Sequence, residues 1–291
     1  MITGDRNFVS SERFSLQESV VEKLEVVYWG RGSAGWRMWP KIPAGMFDVV
    51  TSQDPFWRGL FAWRAARRMG AKLNIQVHTS VLNILGKFIL RRADSIRVVS
   101  QIFKKQVEGM GVKAPVHVLP VYIDISKFRN IVRQPHSQKT ILWVGRFESE
   151  KNPALALSIL QAVLRSGMDA RLVMLGVGSL AQKLKARAHA AGLPVEFPGW
   201  QDPATYLAQA DVVLCTSKHE SWGASMIEAL AAGVPVVAPD VGIAREAGAD
   251  VVARSDLAQK TIEVLNSGRR GELKLNLPGA QEWARQWKET L

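Results

Sequence analysis

Hydrophobic positions along this chain fall into two alternating patterns. Short runs rich in Val, Ile and Leu recur throughout. LEVVYWG, FDVVTS, KLNIQVH, SIRVVS and VHVLP lie in the first half, and TILWVG, ARLVMLG, VEFPG, DVVLCTS and VPVVAP in the second. Between them, stretches such as NPALALSILQAVLRSG and AQKLKARAHAAG space their apolar residues three and four apart. Runs that are apolar on both faces suit parallel strands covered by helices. Asn152-Pro153 suits a helix start, because the N–H that proline lacks has no partner in a first turn anyway. Strand–helix alternation in two blocks predicts an α/β chain of two doubly wound, Rossmann-like domains. The polar, aperiodic stretch SKFRNIVRQPHSQKT, residues 126–140, marks the break between them. The expected parts are residues 1–130, residues 131–275, and a C-terminal helix at 276–291. That helix carries Trp283 and Trp287 and is expected to pack back toward the first domain.

Composition narrows the classes. With 291 residues and 47% hydrophobic content, the chain can bury a sizeable core. A single cysteine excludes a disulfide framework and fits a reducing, cytoplasmic setting. The N-terminus shows no apolar leader. VLNILGKFIL, the most apolar stretch, is too short to span a bilayer and contains Lys87. The net charge of +12 is uneven: residues 1–135 hold 21 Lys and Arg against 10 Asp and Glu, residues 136–291 hold 17 against 16. A basic half suggests a polyanionic partner, such as anionic lipid or a phosphorylated substrate; a merely solvated basic surface is the plain alternative. Nucleic acid is also among the polyanions a basic half suggests, but that reading rests on charge alone and no nucleic acid is expected.

Two segments carry candidate chemistry. In WVGRFESEK, Gly145 permits a tight exit from a strand, followed by Arg146 and then Lys151. Fixed cations at a strand end can hold a diphosphate, although a surface Arg and Lys would look the same. In HESWGASMIEALAAG, Gly223 lets the backbone approach a ligand, and the following helix points free N–H groups at the same place, which attracts a phosphate. Glu228 is placed to accept two ribose hydroxyls, and Glu220 to meet the polar groups of a sugar. Ser225 and Glu228 also fit a helix capping box, which would make the acid structural.

GRFESEK followed about seventy residues later by ESWGASMIEALAAGVPVVA resembles the retaining GT-B glycosyltransferases of family 4. LGVGSL, FPGW and YLAQADVVLCTSKHE fall in that family's order. The resemblance is strong over residues 138–252 and weaker over 46–130. It implies two Rossmann-like domains facing a cleft, the N-terminal one shortened. It also implies transfer of a sugar, with retention of configuration, from a UDP- or GDP-linked donor to a saccharide, lipid-linked glycan or lipid. Arg146 and Lys151 would bind the donor diphosphate and stabilise it as a leaving group. Gly145, Gly176, Gly178, Ser221, Trp222, Gly223, Ala224 and Ser225 would line the donor, with Glu228 on the ribose and Glu220 on the transferred sugar. His78, in VHTS, matches the histidine that faces the donor sugar. No cofactor beyond the donor is implied. No Asp-x-Asp triplet is present to hold a metal, and two cations with a helix start already address the departing negative charge.

On a helical wheel, Phe56, Leu60, Trp63, Ala66 and Met69 form one arc of FWRGLFAWRAARRMG, expected to face the core. Trp57 and Phe61 fall opposite, among Arg58, Arg64 and Arg68. Aromatics interleaved with arginine suit an acceptor or an anionic membrane interface. Trp36 and Trp39, beside Arg31, Arg37 and Lys41, would add to it. Two departures from the family stand out. MITGDRNF leaves little room for a first strand, and Ile243 replaces a glycine. A non-catalytic nucleotide-sugar or polyanion-binding protein with a degraded acceptor domain is the alternative reading.

Overall fold

The computed structural model describes residues 1–5, 7–29, 42, 45–78, 81, 83–134 and 136–291. It divides into two units, Met1–Tyr122 with Leu277–Leu291, and Ile123–Asn276. The aromatic-basic loop around Trp36 and Trp39 lies outside the described residues.

The first unit runs β1 (Ile2–Thr3), α1 (Glu12–Glu18), β2 (Val27–Tyr28), β3 (Val49–Ser52), α2 (Trp57–Met69), β4 (Lys72–Val77), α3 (Ile84–Leu90), β5 (Ser95–Val98), α4 (Gln101–Glu108) and β6 (Val116–Val118). Its parallel sheet has the order β2-β1-β3-β4-β5-β6. Short as it is, β1 pairs with Val27 and Tyr28 on one side and with Ser52 on the other.

Helix α2 corrects the wheel. Its buried residues are Gly59, Phe61, Ala62, Ala65 and Ala66. Small side chains let a helix backbone approach the sheet closely, so the alanines mark the buried stripe. Phe61 closes one edge of it, with its ring 5.7 Å from that of Trp29. Trp63 sits at the other edge against Phe88, under Arg67 and Arg92. Phe61 is therefore inside, not on an outer face. Trp57, Arg64 and Arg68 are exposed. Arg58 is tied to Asp54 at 2.5 Å and donates to the Trp29 carbonyl at 2.7 Å.

The second unit runs α5 (Ser126–Arg129), β7 (Lys139–Val144), α6 (Pro153–Arg165), β8 (Ala170–Leu175), α7 (Ala181–Ala190), β9 (Val195–Gly199), α8 (Pro203–Leu207), β10 (Val212–Leu214), α9 (Ala224–Ala231), β11 (Val236–Ala238), α10 (Ala244–Ala247), β12 (Asp250–Val251) and α11 (Leu257–Ser267). Its sheet is parallel, in the order β12-β11-β10-β7-β8-β9. The core packs Ile141, Trp143, Leu157, Leu160, Leu172, Met174, Val212 and Leu214 together. Phe128 on α5 is buried, and this short helix belongs to the second unit. The chain therefore passes between units earlier than its polar stretch suggests. From β7 the chain steps one way to β8 and β9, and then the other way through β10 to β12. The switch point lies between β7 and β10, where open α/β sheets place their ligands.

The last helix, α12 (Ala280–Glu289), returns to the first unit. Trp283 and Trp287 are buried with Phe8 and Leu119, and the Trp283 indole donates to the Pro120 carbonyl at 2.8 Å. This helix covers a face of the first sheet that is not apolar, contrary to the expectation from the runs. In β4 and β5, Leu73, Ile75, Ile96 and Val98 alternate with Asn74, Gln76, Ser95 and Arg97, and all are buried. Register sets Asn74 beside Ser95, Gln76 beside Arg97, and Thr51 beside Asn74. Buried polar groups need partners. Thr51 donates to Asn74 Oδ1, and Asn74 donates to Ser95 Oγ and to the Thr290 carbonyl, each at 2.8 Å. No helix among the described residues is long and apolar enough to cross a membrane.

Candidate functional site

The site of the second unit grows from the exits of β7 and β10, neighbouring strands in register at Val212 and Ile141. Beyond β7 the chain passes Gly145 and Arg146 and turns into α6 at Asn152-Pro153. Asn152 is the sole non-glycine residue at positive φ (49°) among the described residues. Beyond β10 it runs through Thr216 to Gly223 and into α9. The two loops are stitched together. The Trp143 indole donates to Thr216 Oγ1 at 2.9 Å, and that hydroxyl donates to the Lys151 carbonyl at 2.8 Å. The Lys218 N–H donates to the Glu150 carbonyl at 2.8 Å. From outside, the Arg254 guanidinium holds the carbonyls of Ser217 and Lys218 at 3.1 and 2.9 Å.

This stitching sets Lys151 Nζ 2.6 Å from Glu220 Oε1, both largely buried, and the same oxygen accepts the Ser217 hydroxyl at 2.7 Å. Arg146 is well exposed (70%) and pairs with Glu150 at 2.7 Å, one helical turn along its own loop. Glu220 stands three residues before Gly223, whose φ of +105° caps α9. The backbone itself requires glycine at 223, and a Cβ there would also push on Met226 Cε, 2.3 Å away at the end of a flexible side chain. Gly242, after β11, has its own Cα hydrogen pressed onto Trp222 and Glu220: a Cβ there would meet the Trp222 carbonyl at 2.6 Å. Ile243 is buried and donates its N–H to that carbonyl at 3.2 Å.

The capping box does not form. Helix α9 starts at Ala224 with Gly223 as N-cap, and Ser225 lies inside the first turn without capping it. The Glu228 carboxylate makes no hydrogen bond or ion pair among the described residues. Burial pushes its carboxyl above the usual range, with Lys127 opposing and Asp202 adding to the rise. An acid that is sheltered but unpaired is available to a ligand. The Trp222 indole N–H is also buried without a partner among the described residues. Ser221 and Ala224 are exposed at the helix entrance, where the first N–H groups lack intrahelical acceptors.

Gly145, Gly176 and Gly178 sit beside one another at the exits of β7 and β8. A Cβ at Gly176, φ +142°, would overlap the Gly145 carbonyl, and one at Gly178 would meet the Phe147 backbone at 2.6 Å. These glycines let two loops touch, which is a packing requirement in its own right. Glu148 then accepts the Ser179 N–H at 2.8 Å and its hydroxyl at 2.6 Å.

His78 belongs to the first unit, just past β4. Burial, then the fields of Arg97 and Arg13, lower its pKa to about 4, so it is neutral at pH 7. Its Nε2 lies 3.2 Å from Gln76 Oε1. An amide oxygen only accepts, so Nε2 carries the proton and Nδ1 is left as the acceptor.

Sequence reasoning overlooked Arg254, Gly242 and Arg97. The first two act through backbone carbonyls and close approach, and Arg97 sits inside what reads as a strand.

A family model described as "Glycosyl transferases group 1" matches residues 124–268, and one described as "Glycosyltransferase Family 4" matches residues 17–127. The chain is 31% identical over 156 residues to a GDP-mannose-dependent alpha-(1-6)-phosphatidylinositol dimannoside mannosyltransferase of Mycobacterium tuberculosis, covering 50% of this chain and 40% of the relative. It is 26% identical over 226 residues to an alpha-monoglucosyldiacylglycerol synthase of Streptococcus pneumoniae, covering 66% of this chain and 51% of the relative. The chain thus spans about half the length, or less, of these relatives. Among solved structures it is similar to sucrose-phosphate synthase of Thermosynechococcus elongatus, with TM-score 0.64, 18% identity, and 84% of this chain and 68% of that one covered. It is also similar to Anabaena HepE in complex with UDP-glucose, with TM-score 0.64, 15% identity, and coverage of 84% and 74%.

Proposed function

This chain belongs to glycosyltransferase family 4 and has the GT-B architecture of two Rossmann-like units, and from that premise we propose that it transfers a sugar from a nucleoside diphosphate sugar to a hydroxyl-bearing acceptor. The observation that carries this is the Lys151–Glu220 pair, held at 2.6 Å immediately before the glycine-capped start of α9. Without a ligand, the ammonium and the carboxylate neutralise each other. A donor entering at the switch point would draw Lys151, with Arg146, onto its diphosphate. The free N–H groups at the α9 start would meet the distal phosphate. Glu228 would accept the ribose hydroxyls, and Glu220 would be released toward the sugar.

As the glycosidic bond breaks, positive charge develops on the sugar and negative charge on the departing diphosphate. Two fixed cations and a helix start stabilise the second without a metal. Neutral His78, with Nδ1 unprotonated, is suited to accept a sugar hydroxyl proton in a hydrogen bond. Retention of configuration belongs to this proposal. The leaving phosphate would take the acceptor proton on the face it departs from.

The acceptor is proposed to be a lipid or lipid-linked glycan at an anionic membrane surface, with a free saccharide as the other class. The named relatives with diacylglycerol and phosphatidylinositol products favour the first. In the first unit, Trp57, Ile84 and Ile102 are exposed in the first turns of α2, α3 and α4. Each of these helices directly follows a strand of one parallel sheet, so the three apolar side chains share the edge at the strands' C-terminal ends, in the unit that carries most of the net charge.

Calorimetry with a panel of UDP- and GDP-sugars, followed by transfer assays with lipid acceptors, tests the reading. Saturable donor binding that Arg146→Ala with Lys151→Ala abolishes is the expected result. Absence of binding to any nucleotide sugar would overturn it. Binding with neither transfer nor donor hydrolysis would favour a non-catalytic binding protein.

A further inference from the structure

The first unit buries positive charge that no ion pair among the described residues meets. Arg97, on β5, is 5% exposed; it donates to Thr290 Oγ1 at 3.1 Å and lies over the Trp287 ring at 5.5 Å. Arg13, on α1, rests over Phe8 at 5.1 Å. Neither makes an ion pair among the described residues, and the residues outside that set include no Asp or Glu. Asp5 acts on Arg13 only through its field. Burial and the repulsion from Arg13 draw Arg97 down to about 9. A guanidinium carries five N–H donors, and taking such a charge out of water is costly unless an anion meets it.

Both arginines line one small cavity, of about 20 Å³, together with Gln17, Gln76, His78 and Trp283. Gln17 is 2% exposed, and its side-chain oxygen has no partner among the described residues. The Gln17 amide lines the cavity, and its NH2 is a donor of the kind an anion requires. The space is that of about one or two water molecules. It admits the terminal oxygens of an oxyanion, whose remainder would project through the mouth.

We infer that this cavity is an anion-binding site in which Arg97 and Arg13 hold the terminal oxygens of a phosphate group and the Gln17 amide completes the contact. That the phosphate is borne by the acceptor rests on the glycosyltransferase reading, in which His78, on the same wall, faces the transferred sugar.

The test titrates inorganic phosphate, and separately glycerol 1-phosphate as a minimal headgroup, against the whole chain by calorimetry and thermal shift. Wild type, Arg97→Met, Arg13→Gln and Lys151→Ala are compared. Wild type and Lys151→Ala should bind phosphate alike, and Arg97→Met should weaken binding at least tenfold. In phosphate-free buffer Arg97→Met should be as stable as wild type or more so, because it removes an uncompensated charge. Should Arg97→Met not fold, Arg13→Gln carries the same comparison. Tighter binding of glycerol 1-phosphate than of phosphate assigns the site to a headgroup, and the reverse assigns it to the free ion. Equal phosphate binding in wild type and both arginine variants would overturn the site. So would loss confined to Lys151→Ala, which would put the phosphate at the donor loops. A protein that binds phosphate here yet no nucleotide sugar would keep this site and sink only the donor reading.

Discussion

Lys151 Nζ lies 2.6 Å from Glu220 Oε1 although 69 residues separate them, and the Ser217 hydroxyl holds that oxygen from the other side at 2.7 Å. A charge-assisted hydrogen bond contributes about 2 kcal/mol, roughly thirtyfold in an equilibrium. Lys151→Ala should therefore weaken donor affinity by about that factor. Glu220→Gln frees the ammonium and should leave donor binding unchanged or tighter while turnover falls. Calorimetry and single-turnover rates separate the two; parallel loss of affinity in both variants would contradict the assignment.

Gly223 is expected to tolerate no side chain. Gly223→Ala forces a non-glycine residue to φ +105° and brings a methyl against Met226. Backbone strain of this kind costs about 1–3 kcal/mol, which urea unfolding would read as a lower midpoint with unchanged slope. Adding Met226→Ala should not restore stability, because the strain at residue 223 remains and the buried Met226 leaves a cavity.

Glu228 trades stability for binding. Its carboxyl is held above the ordinary range, chiefly by burial, so the folded state keeps its proton to higher pH than the unfolded chain does. Stability is then lost as pH rises through the Glu228 titration. Glu228→Gln should melt higher than wild type at pH 7, and the difference should vanish in acid. The same variant loses two hydroxyl acceptors and should weaken donor binding at least tenfold. A variant that is less stable at pH 7 would contradict this.

His78 shifts the other way. Its pKa falls from 6.5 to about 4 on folding, so the unfolded chain binds more protons between those values, and stability drops as pH falls through that window. The loss is up to about 3 kcal/mol. His78→Gln should flatten the slope of melting temperature against pH between about 6.5 and 4. Any acid limb near pH 4 in the wild-type activity profile should be absent from the variant, and the wild-type profile should show no titration of this histidine near neutrality.

Chelation should not stop the reaction. With Lys151, Arg146 and the α9 start addressing the departing charge, EDTA is expected to leave transfer within about twofold. Activity restored only by Mg²⁺ or Mn²⁺ would refute metal independence.

Ten strands could be read in advance, because each lies within an apolar run bounded by turn signals, even where, as in β2, the strand itself is only two residues long. β1 and β12 could not: two residues, Ile2–Thr3 or Asp250–Val251, carry no periodicity, and only their neighbours make them strands. The donor loops were legible because Gly145, Arg146, Lys151, Glu220 and Gly223 are chemically constrained at fixed spacing. The coupling of those loops was not, since Thr216 and Arg254 act through main-chain carbonyls that any sequence possesses. Phe61 was misplaced because the wheel was oriented by its largest side chains, whereas the alanines of α2 define the approach to the sheet. Arg97 is not legible because SIRV, too short to establish an alternation, looks like a continuous apolar run.

The covering of the first unit by α12 bears on how the chain is made. Trp283, Trp287 and Thr290 close over Pro120, Arg97 and Asn74, and they leave the ribosome only after the whole second unit has been synthesised. The second unit can therefore settle while translation continues. The first must wait, its polar strand face open to water, until a segment more than a hundred and fifty residues downstream arrives. Quality of the acceptor-side half is decided last, and lesions near residue 290 should register there before they disturb the donor half.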